Sequence, residues 1–329
     1  MAKERKKRQV SDSLATAEHI SKYDVLSSVN LHKTTSPGIT AADLHNGNVL
    51  TGGNDGDVIL FNLAANKISQ TLSGHGKRVT SVNFHPSHNI FVSSSTDKTV
   101  KVWSGEPGHI KLGHTIKVHT SDVTSSQIHC TDDYVLSASL DKSWGFHDLH
   151  TGATLAHVTS DAGNPHVIGS ILTVKGFSSA RFHPDGLIVG TGGVDGVVKI
   201  WDLKSLKNVA SFEGHTGQVS GISFSENGYY LSTVAQDNAV KLWDLRKLKN
   251  VQTSQLPDNF NASSVKFDYS GSYLAVGGQD VRIFIGKSLT HVATFNKHSA
   301  LVSDVCWGKD ANSLISVSLD RSLKNWGSK

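Results

Sequence analysis

Two segments decide the fold of this chain: VDGVVKIWDL at 194–203 and QDNAVKLWDL at 236–245. In each segment an aspartate is followed six residues later by a tryptophan, and a second aspartate comes directly after that tryptophan. The first part of this spacing recurs in TDKTVKVW at 96–103 and in LDRSLKNW at 319–326. The chain is therefore built from a repeated unit.

Three weaker copies extend the repeat over the whole chain: NDGDVILF at 54–61, LDKSWGFH at 140–147 and QDVRIF at 279–284. The aspartates recur at intervals of 40 to 44 residues, apart from one interval of 54, and they are Asp55, Asp97, Asp141, Asp195, Asp237, Asp280 and Asp320. A period near 40–45 residues with a Trp-Asp ending is typical of WD40 repeats, each of which forms one four-stranded blade. The sequence therefore predicts an all-β, seven-bladed WD40 β-propeller over residues 25–329.

The two ends of the chain are predicted to meet in the seventh blade. The last repeat stops after its third strand, whereas VLSSVNLH at 25–32 reads as a strand that belongs to no repeat. Pairing the two closes the ring and removes two open sheet edges. Residues 1–24 are left as a basic, mostly flexible tail. About twelve extra residues fall within 161–176, before the fourth blade.

Four polar residue types recur together, and they predict a hydrogen-bond chain inside a blade. The aspartate accepts from a histidine, whose other ring nitrogen meets a Ser or Thr hydroxyl, and that hydroxyl accepts from the tryptophan N–H. Complete sets are His75, Ser93, Asp97 and Trp103; His215, Thr233, Asp237 and Trp243; and His298, Ser316, Asp320 and Trp326. We interpret these histidines as structural, with no metal or catalytic role.

Some repeats depart from this set. Repeats one, four and six show Thr35, Thr173 and Asp258 where the others have histidine. The third repeat has His119, but His147 stands at its tryptophan position. Its hydrogen-bond chain is therefore expected to be broken.

Composition excludes several classes of protein. With 37% hydrophobic residues, 18% charged residues and 30 glycines, the chain is neither disordered nor a coiled coil. No apolar run approaches the length of a membrane span, so no membrane association is expected. Two cysteines, Cys130 and Cys306, fit a reducing compartment. No catalytic or cofactor motif survives inspection, so neither enzyme activity nor a cofactor is expected.

The net charge of +4 belongs to the N-terminal tail. Residues 1–8 carry five basic residues and one acidic residue, which leaves the rest of the chain neutral. A neutral body argues against a protein that wraps nucleic acid. The basic run predicts a nuclear import signal and thus a nuclear location.

Partner binding is predicted at one end of the propeller, which we call the mouth. The turns that hold the repeat aspartates and the starts of the innermost strands meet there. Apolar residues beside an arginine are the usual composition of a binding hot spot. The candidates are Arg78, Leu140, Val194, Leu301 and Leu319. Leu301 and Leu319 belong to one blade and are expected to be neighbours.

Two alternatives remain open. A basic rim at the opposite end would favour RNA binding and comprises Lys204, Lys207, Arg246, Lys247 and Lys249. The run Trp243-Asp244-Leu245-Arg246 matches the Trp-Asp-x-Arg box of cullin-ligase substrate receptors.

Longer segments resemble the propellers of the pre-mRNA-processing factor 19 family. They are FSENGYYLSTVAQDNAVKLWDLRKLKN (224–250), FHPDGLIVGTGGVDGVVKIWDLK (182–204), SKYDVLSSVNLH (21–32) and ERKKR (4–8). The resemblance implies the C-terminal propeller of a nuclear splicing factor and ubiquitin-ligase scaffold. It also implies spliceosomal partners, proteins of the nineteen complex, and ligase substrates. In that family a U-box and a coiled coil precede the propeller. The residues 161–176 depart from the family pattern.

Overall fold

The chain forms a seven-bladed β-propeller. The computed structural model describes residues 11–106, 108–160 and 176–328. In these ranges, seven antiparallel sheets of four strands each follow one another along the chain. The predicted fold class is confirmed. The basic residues 1–8 and nearly all of the long insertion, 161–175, lie outside the described residues.

Within each blade the chain runs from the innermost strand outward. Blades one to three contain β2 (Ile39–His45), β3 (Asn48–Gly53), β4 (Asp57–Asn62) and β5 (Lys67–Ser73); β6 (Val79–Phe84), β7 (Ile90–Ser95), β8 (Val100–Ser104) and β9 (Lys111–Ile116); and β10 (Val123–Ile128), β11 (Tyr134–Ser139), β12 (Ser143–Asp148) and β13 (Thr154–Thr159). Blades four to six contain β14 (Phe177–Phe182), β15 (Ile188–Gly193), β16 (Val198–Asp202) and β17 (Lys207–Phe212); β18 (Val219–Phe224), β19 (Tyr230–Ala235), β20 (Ala239–Asp244) and β21 (Lys249–Gln255); and β22 (Ser264–Phe267), β23 (Tyr273–Gly277), β24 (Val281–Ile285) and β25 (His291–Phe295).

The seventh blade combines both ends of the chain, as the sequence predicts. Its strands are β26 (Val302–Trp307), β27 (Leu314–Ser318), β28 (Ser322–Gly327) and, outermost, β1 (Asp24–Asn30). Strand β1 pairs antiparallel with β28, placing Val25 opposite Trp326 and Val29 opposite Leu323. The ring is therefore closed by hydrogen bonds between residues that are distant in sequence.

The core lies between neighbouring blades. The second strand of a blade is covered on both faces, so β11 is buried along its last five residues. The outer strand β5 is mostly exposed, because no further strand covers its edge. Where blades three and four meet, Trp144 packs edge-on against Trp201, with their ring centroids 6.0 Å apart. Such contacts bury the apolar face that a single blade cannot bury alone.

The segment before β1 is docked rather than left as a tail. A short helix, α1 (Ala17–Ser21), begins at Thr16, whose hydroxyl accepts from the backbone N–H of His19. Ile20 and Tyr23 are buried against blades six and seven. The expectation of a mostly flexible tail is therefore wrong for residues 11–23, because their apolar side chains pack against blades six and seven. Across the described ranges, no helix has both the length and the apolar character that crossing a membrane requires.

Candidate functional site

The predicted hydrogen-bond networks form in blades two, five and seven. In blade two, His75 Nδ1 lies 2.8 Å from Asp97 Oδ2, and its Nε2 lies 2.8 Å from Ser93 Oγ. The Trp103 N–H donates to that same hydroxyl over 2.8 Å. Equivalent contacts join His215, Asp237, Thr233 and Trp243 in blade five and His298, Asp320, Ser316 and Trp326 in blade seven.

In these networks, burial and hydrogen bonds set the protonation states of the histidine and the aspartate. Burial would raise the pKa of Asp320, but hydrogen bonds from Ser322, from backbone N–H groups and from His298 outweigh it and hold the pKa at about 2. Burial lowers the pKa of His298 despite its bond to Asp320. This network therefore contains a neutral imidazole beside an ionised carboxylate at neutral pH.

Blade one contains a histidine that the repeat alignment missed. His32 places Nδ1 2.9 Å from Asp55 Oδ1 and Nε2 3.0 Å from Thr51 Oγ1. Assigning Thr35 to this position was wrong. The loop between His32 and Ile39 is longer than its counterpart between His75 and Val79. Counting back four residues from the innermost strand therefore does not find His32. The separation from the repeat aspartate gives the better signal, because it is 23 residues here and 22 in blade two.

The network of blade three is complete, contrary to expectation. His147 Nε2 lies 2.8 Å from Ser137 Oγ, which lies 2.7 Å from His119 Nε2. His119 Nδ1 in turn lies 3.0 Å from Asp141 Oδ2. The prediction of a broken chain was wrong because a histidine nitrogen can take the place of the tryptophan N–H. Burial lowers the pKa of His147 to about 3, with smaller contributions from His119 and His157.

At the mouth, the five candidate residues separate into two apolar groups and one arginine. Leu301 and Leu319 are adjacent, since the Leu319 N–H donates to the Leu301 carbonyl over 3.0 Å. Leu319 is 37% exposed and reaches Gly38 of blade one, where a Cβ would lie 3.0 Å from its Cδ2. This pair therefore bridges blades seven and one.

The second apolar group lies in blades three and four. Leu140 is 38% exposed, and Val194 is half-buried. Between them, a Cβ on Gly176 would come within 2.3 Å of the Leu140 backbone, so the chain passes very close to this leucine. Arg78 is exposed in blade two and belongs to neither group.

A closed ring of hydroxyls lines the channel just below the mouth. One Ser or Thr at the start of each innermost strand donates to a backbone carbonyl of the next blade. These residues are Thr40, Thr80, Thr124, Ser178, Ser220, Ser263 and Ser303. Each follows the residue that begins its inner-strand sequence, so this recurrence is visible in the sequence itself.

The channel contains a cavity of about 130 Å³ that is lined mostly by these hydroxyls and by three charged residues, Arg181, Lys266 and Asp304. Lys266 Nζ lies 3.3 Å from Asp304 Oδ2 and 3.2 Å from both the Ala42 carbonyl and Cys306 Sγ. Burial raises the pKa of the Cys306 thiol to about 12. This thiol is therefore protonated at neutral pH.

The basic rim at the opposite end is only partly available. Lys204, Lys207, Lys247 and Lys249 are exposed. Arg246 donates from Nη2 to Asp244 Oδ2 over 2.7 Å, and its guanidinium lies 4.4 Å from the centre of the Tyr229 ring. The Trp-Asp-x-Arg box is thus engaged in contacts within blade five.

One group of side chains has the composition of a metal site. His119, Asp141 and His157 offer ligand atoms that all lie within 4.8 Å of one another.

Comparisons with known proteins agree with this architecture. A family model described as the Prp19 WD40 domain matches residues 31–320. Pre-mRNA-processing factor 19 of Homo sapiens is 47% identical over 327 residues, which cover 98% of this chain and 62% of that protein. The protein of the same name from Oryza sativa is 43% identical over 336 residues, covering 98% of this chain and 61% of that protein. Pre-mRNA-processing factor 19 homolog 2 of Arabidopsis thaliana is 42% identical, covering 99% and 61%.

The chain spans about three-fifths of the length of these relatives. The match to the family model nevertheless includes almost every strand of the propeller. The chain therefore belongs to the family of Prp19 WD40 domains.

Proposed function

We propose that this propeller is the protein-interaction platform of a pre-mRNA splicing factor and ubiquitin-ligase scaffold, and that it binds partner proteins at its mouth. The partners would be spliceosomal proteins, members of the nineteen complex and ligase substrates. The names of the relatives support the splicing role. The adjacent Leu301 and Leu319 support the location, because they place two apolar side chains of blade seven at the mouth, where Leu319 lies next to Gly38 of blade one.

A double variant, Leu301→Asp with Leu319→Asp, tests this site. A carboxylate buried in an apolar interface is strongly unfavourable. We expect recovery of spliceosomal proteins from nuclear extract to fall at least about tenfold, a difference of about 1.4 kcal/mol in binding. The melting temperature should stay within a few degrees, because neither side chain belongs to the buried core. Quantitative mass spectrometry after pull-down measures the recovery.

A matched control places the same charges elsewhere. Ile68 and Leu112 are 41% and 43% exposed on the outer strands of blades one and two, close to the 37% of Leu319. Changing both to Asp should leave partner recovery unchanged. Equal recovery with the mouth variant and with this control would refute the proposed site.

The basic rim provides the competing outcome. Reversing the charge of Lys204, Lys207 and Lys247 to Glu should leave spliceosomal partners bound. If partners or RNA are lost only from that variant, the site moves to the rim and the RNA-binding alternative is favoured. Recovery of a cullin adaptor would favour the substrate-receptor alternative instead.

A nuclear location is part of this proposal. The basic run that includes Lys6, Lys7 and Arg8 supports active import. Replacing these three residues by Ala in a reporter fusion should move the fusion to the cytoplasm. Unchanged nuclear accumulation would contradict an import signal in the tail.

A further inference from the structure

Blade three differs from the other blades at a pair of facing positions on its two outer strands. On the third strand, five blades carry a cation, namely Lys101, Lys199, Lys241, Arg282 and Lys324, and blade one carries Ile59 opposite Thr71. Opposite that position, the outer strands of those blades carry Thr115, Ser211, Thr253, Thr294 and Ser28. Blade three instead pairs Gly145 with His157. Blade three therefore has a glycine and an imidazole where these blades have a cation and a hydroxyl, and the His147 ring lies beside the glycine, 2.5 Å from where a Cβ would be.

His157 reaches the hydrogen-bond network of blade three through Ser143. Its Nε2 lies 2.7 Å from Ser143 Oγ, and its ring centroid is 5.6 Å from that of His119. Ser143 Oγ is in turn 3.1 Å from His119 Nδ1. The His119 and Asp141 side chains are almost fully buried, whereas His157 is exposed. Solvent therefore has access to this cluster from one side.

The exchange also changes the charge around the aspartate. In blade two, burial and, to a smaller extent, the charge of Lys101 lower the pKa of His75 beside Asp97. Lys241 and Lys324 act in the same way on the networks of blades five and seven. Blade three keeps the carboxylate of Asp141 but has no ammonium group at this strand position. The position suits a cation that comes from solution.

His147 permits a second arrangement of protons around His119. Tryptophan only donates, so in blade two the Ser93 hydroxyl accepts from Trp103 and can donate to His75 Nε2, with the proton of the ring on Nδ1 facing Asp97. In blade three, His147 Nε2 can accept from Ser137, while its Nδ1–H donates to Thr154 Oγ1 over 3.0 Å.

In this second arrangement of protons, the hydrogen bonds from His119 through Ser137 to His147 run in the direction opposite to those of blade two. His119 Nε2–H then donates to Ser137, and the hydrogen bond from Nδ1 to Asp141 is replaced by a lone pair that can bind a cation lying between Nδ1 and the carboxylate. A neutral imidazole whose other nitrogen is held by a hydrogen bond is the usual state of a metal-binding histidine.

We propose that blade three binds a divalent transition-metal ion of the zinc type through His119 Nδ1, the Asp141 carboxylate and His157 Nε2. Two imidazoles and one carboxylate form a ligand set that zinc accepts, with water in the remaining position. Zinc–nitrogen bonds of about 2.0 Å place tetrahedral ligand atoms about 3.3 Å apart. The candidate atoms lie within 4.8 Å of one another, and the exposed His157 can supply the movement. The metal would displace Ser143 Oγ from between the two rings.

Zinc binding to the purified, untagged chain tests the proposal. Isothermal titration with Zn²⁺ should show about one site per chain, and the melting temperature should rise in Zn²⁺ and return to its starting value with chelator. His157→Thr installs a residue type that other blades carry at this position. It should weaken binding by more than about tenfold while leaving the fold intact.

The control is His291→Thr, which removes an exposed histidine from the outer strand of blade six. Its binding should equal that of the unchanged chain. No Zn²⁺ binding up to about 1 mM, a free energy of only about 4 kcal/mol, would overturn the proposal. Equal affinity in His157→Thr would also overturn it, because the metal would then bind to surface histidines elsewhere.

His147→Trp separates the positioning role of His147 from a structural one. The variant restores the tryptophan of blades two, five and seven, which can only donate to the hydroxyl and cannot accept from it. Zinc affinity should fall about 10- to 100-fold, as for other groups that orient a ligand, with no loss of thermal stability in the absence of metal. Unchanged zinc affinity in a folded variant would refute the second arrangement of protons.

Discussion

Ile20→Ala tests whether residues 11–23 are an integral part of the propeller. Ile20 is 0% exposed and belongs to the same buried cluster as Tyr23, Phe295 and Trp326. Truncating a buried isoleucine to alanine costs about 2–5 kcal/mol, depending on how far the cavity collapses. Helix α1 has only five residues and can shift into part of the space. We therefore expect a loss of about 2–3 kcal/mol.

That loss has a measurable size. For a domain of this length, 1 kcal/mol corresponds to roughly 2 °C in melting temperature, so the midpoint should fall by about 5 °C. Urea unfolding followed by tryptophan fluorescence should give a lower midpoint with an unchanged slope. An unchanged slope shows that the same surface is exposed on unfolding, so the difference in midpoint reports stability alone.

Glu18→Ala on the same helix is the matched control. Its side chain is 80% exposed and contacts Lys22 over 2.6 Å, and an ion pair this exposed contributes little. The melting temperature should stay within about 1 °C. If Ile20→Ala lowers the melting temperature no more than Glu18→Ala does, residues 11–23 do not stabilise the propeller, and the expectation of a flexible tail is favoured.

Three further outcomes follow from the networks and the ring. Trp243→Ala should destabilise the chain by about 3–5 kcal/mol in urea unfolding, more than His147→Ala, because the indole is the larger buried side chain, and an equal or larger loss in His147→Ala would contradict this order. In the folded state the pKa of His298 lies below 6.5 because of burial, and hydrogen bonds hold that of Asp320 at about 2 rather than 3.8. The unfolded state therefore binds more protons, and the urea midpoint should be constant above about pH 6.5, fall below it, and fall again below about pH 4. A midpoint that rises on acidification would contradict both assignments. Ser303→Ala removes the hydroxyl that joins the last blade to the first and should cost about 1 kcal/mol, whereas no measurable cost would show that the ring does not depend on it.

The sequence alone determined the number of blades, their order and the strand that closes the ring. Each blade is made of consecutive antiparallel hairpins, so its pattern repeats locally and can be counted. The closing strand followed from that count, because the last repeat lacked an outer strand and β1 was the one strand left over. The sets around Trp103, Trp243 and Trp326 could be found for the same reason, since their members stand at fixed offsets within one repeat.

Only the tertiary structure decided which residues act where the repeat is irregular. A longer loop moved His32 away from the expected offset, although its ring reaches Asp55 as the other histidines reach their aspartates. Tyr23 donates to the Ala311 carbonyl across 288 residues of sequence, a contact that no repeat spacing contains. His157, on the outer strand of blade three, meets the network of that blade through the Ser143 hydroxyl. These contacts depend on distances in space between side chains, and a sequence period specifies only distances along the chain.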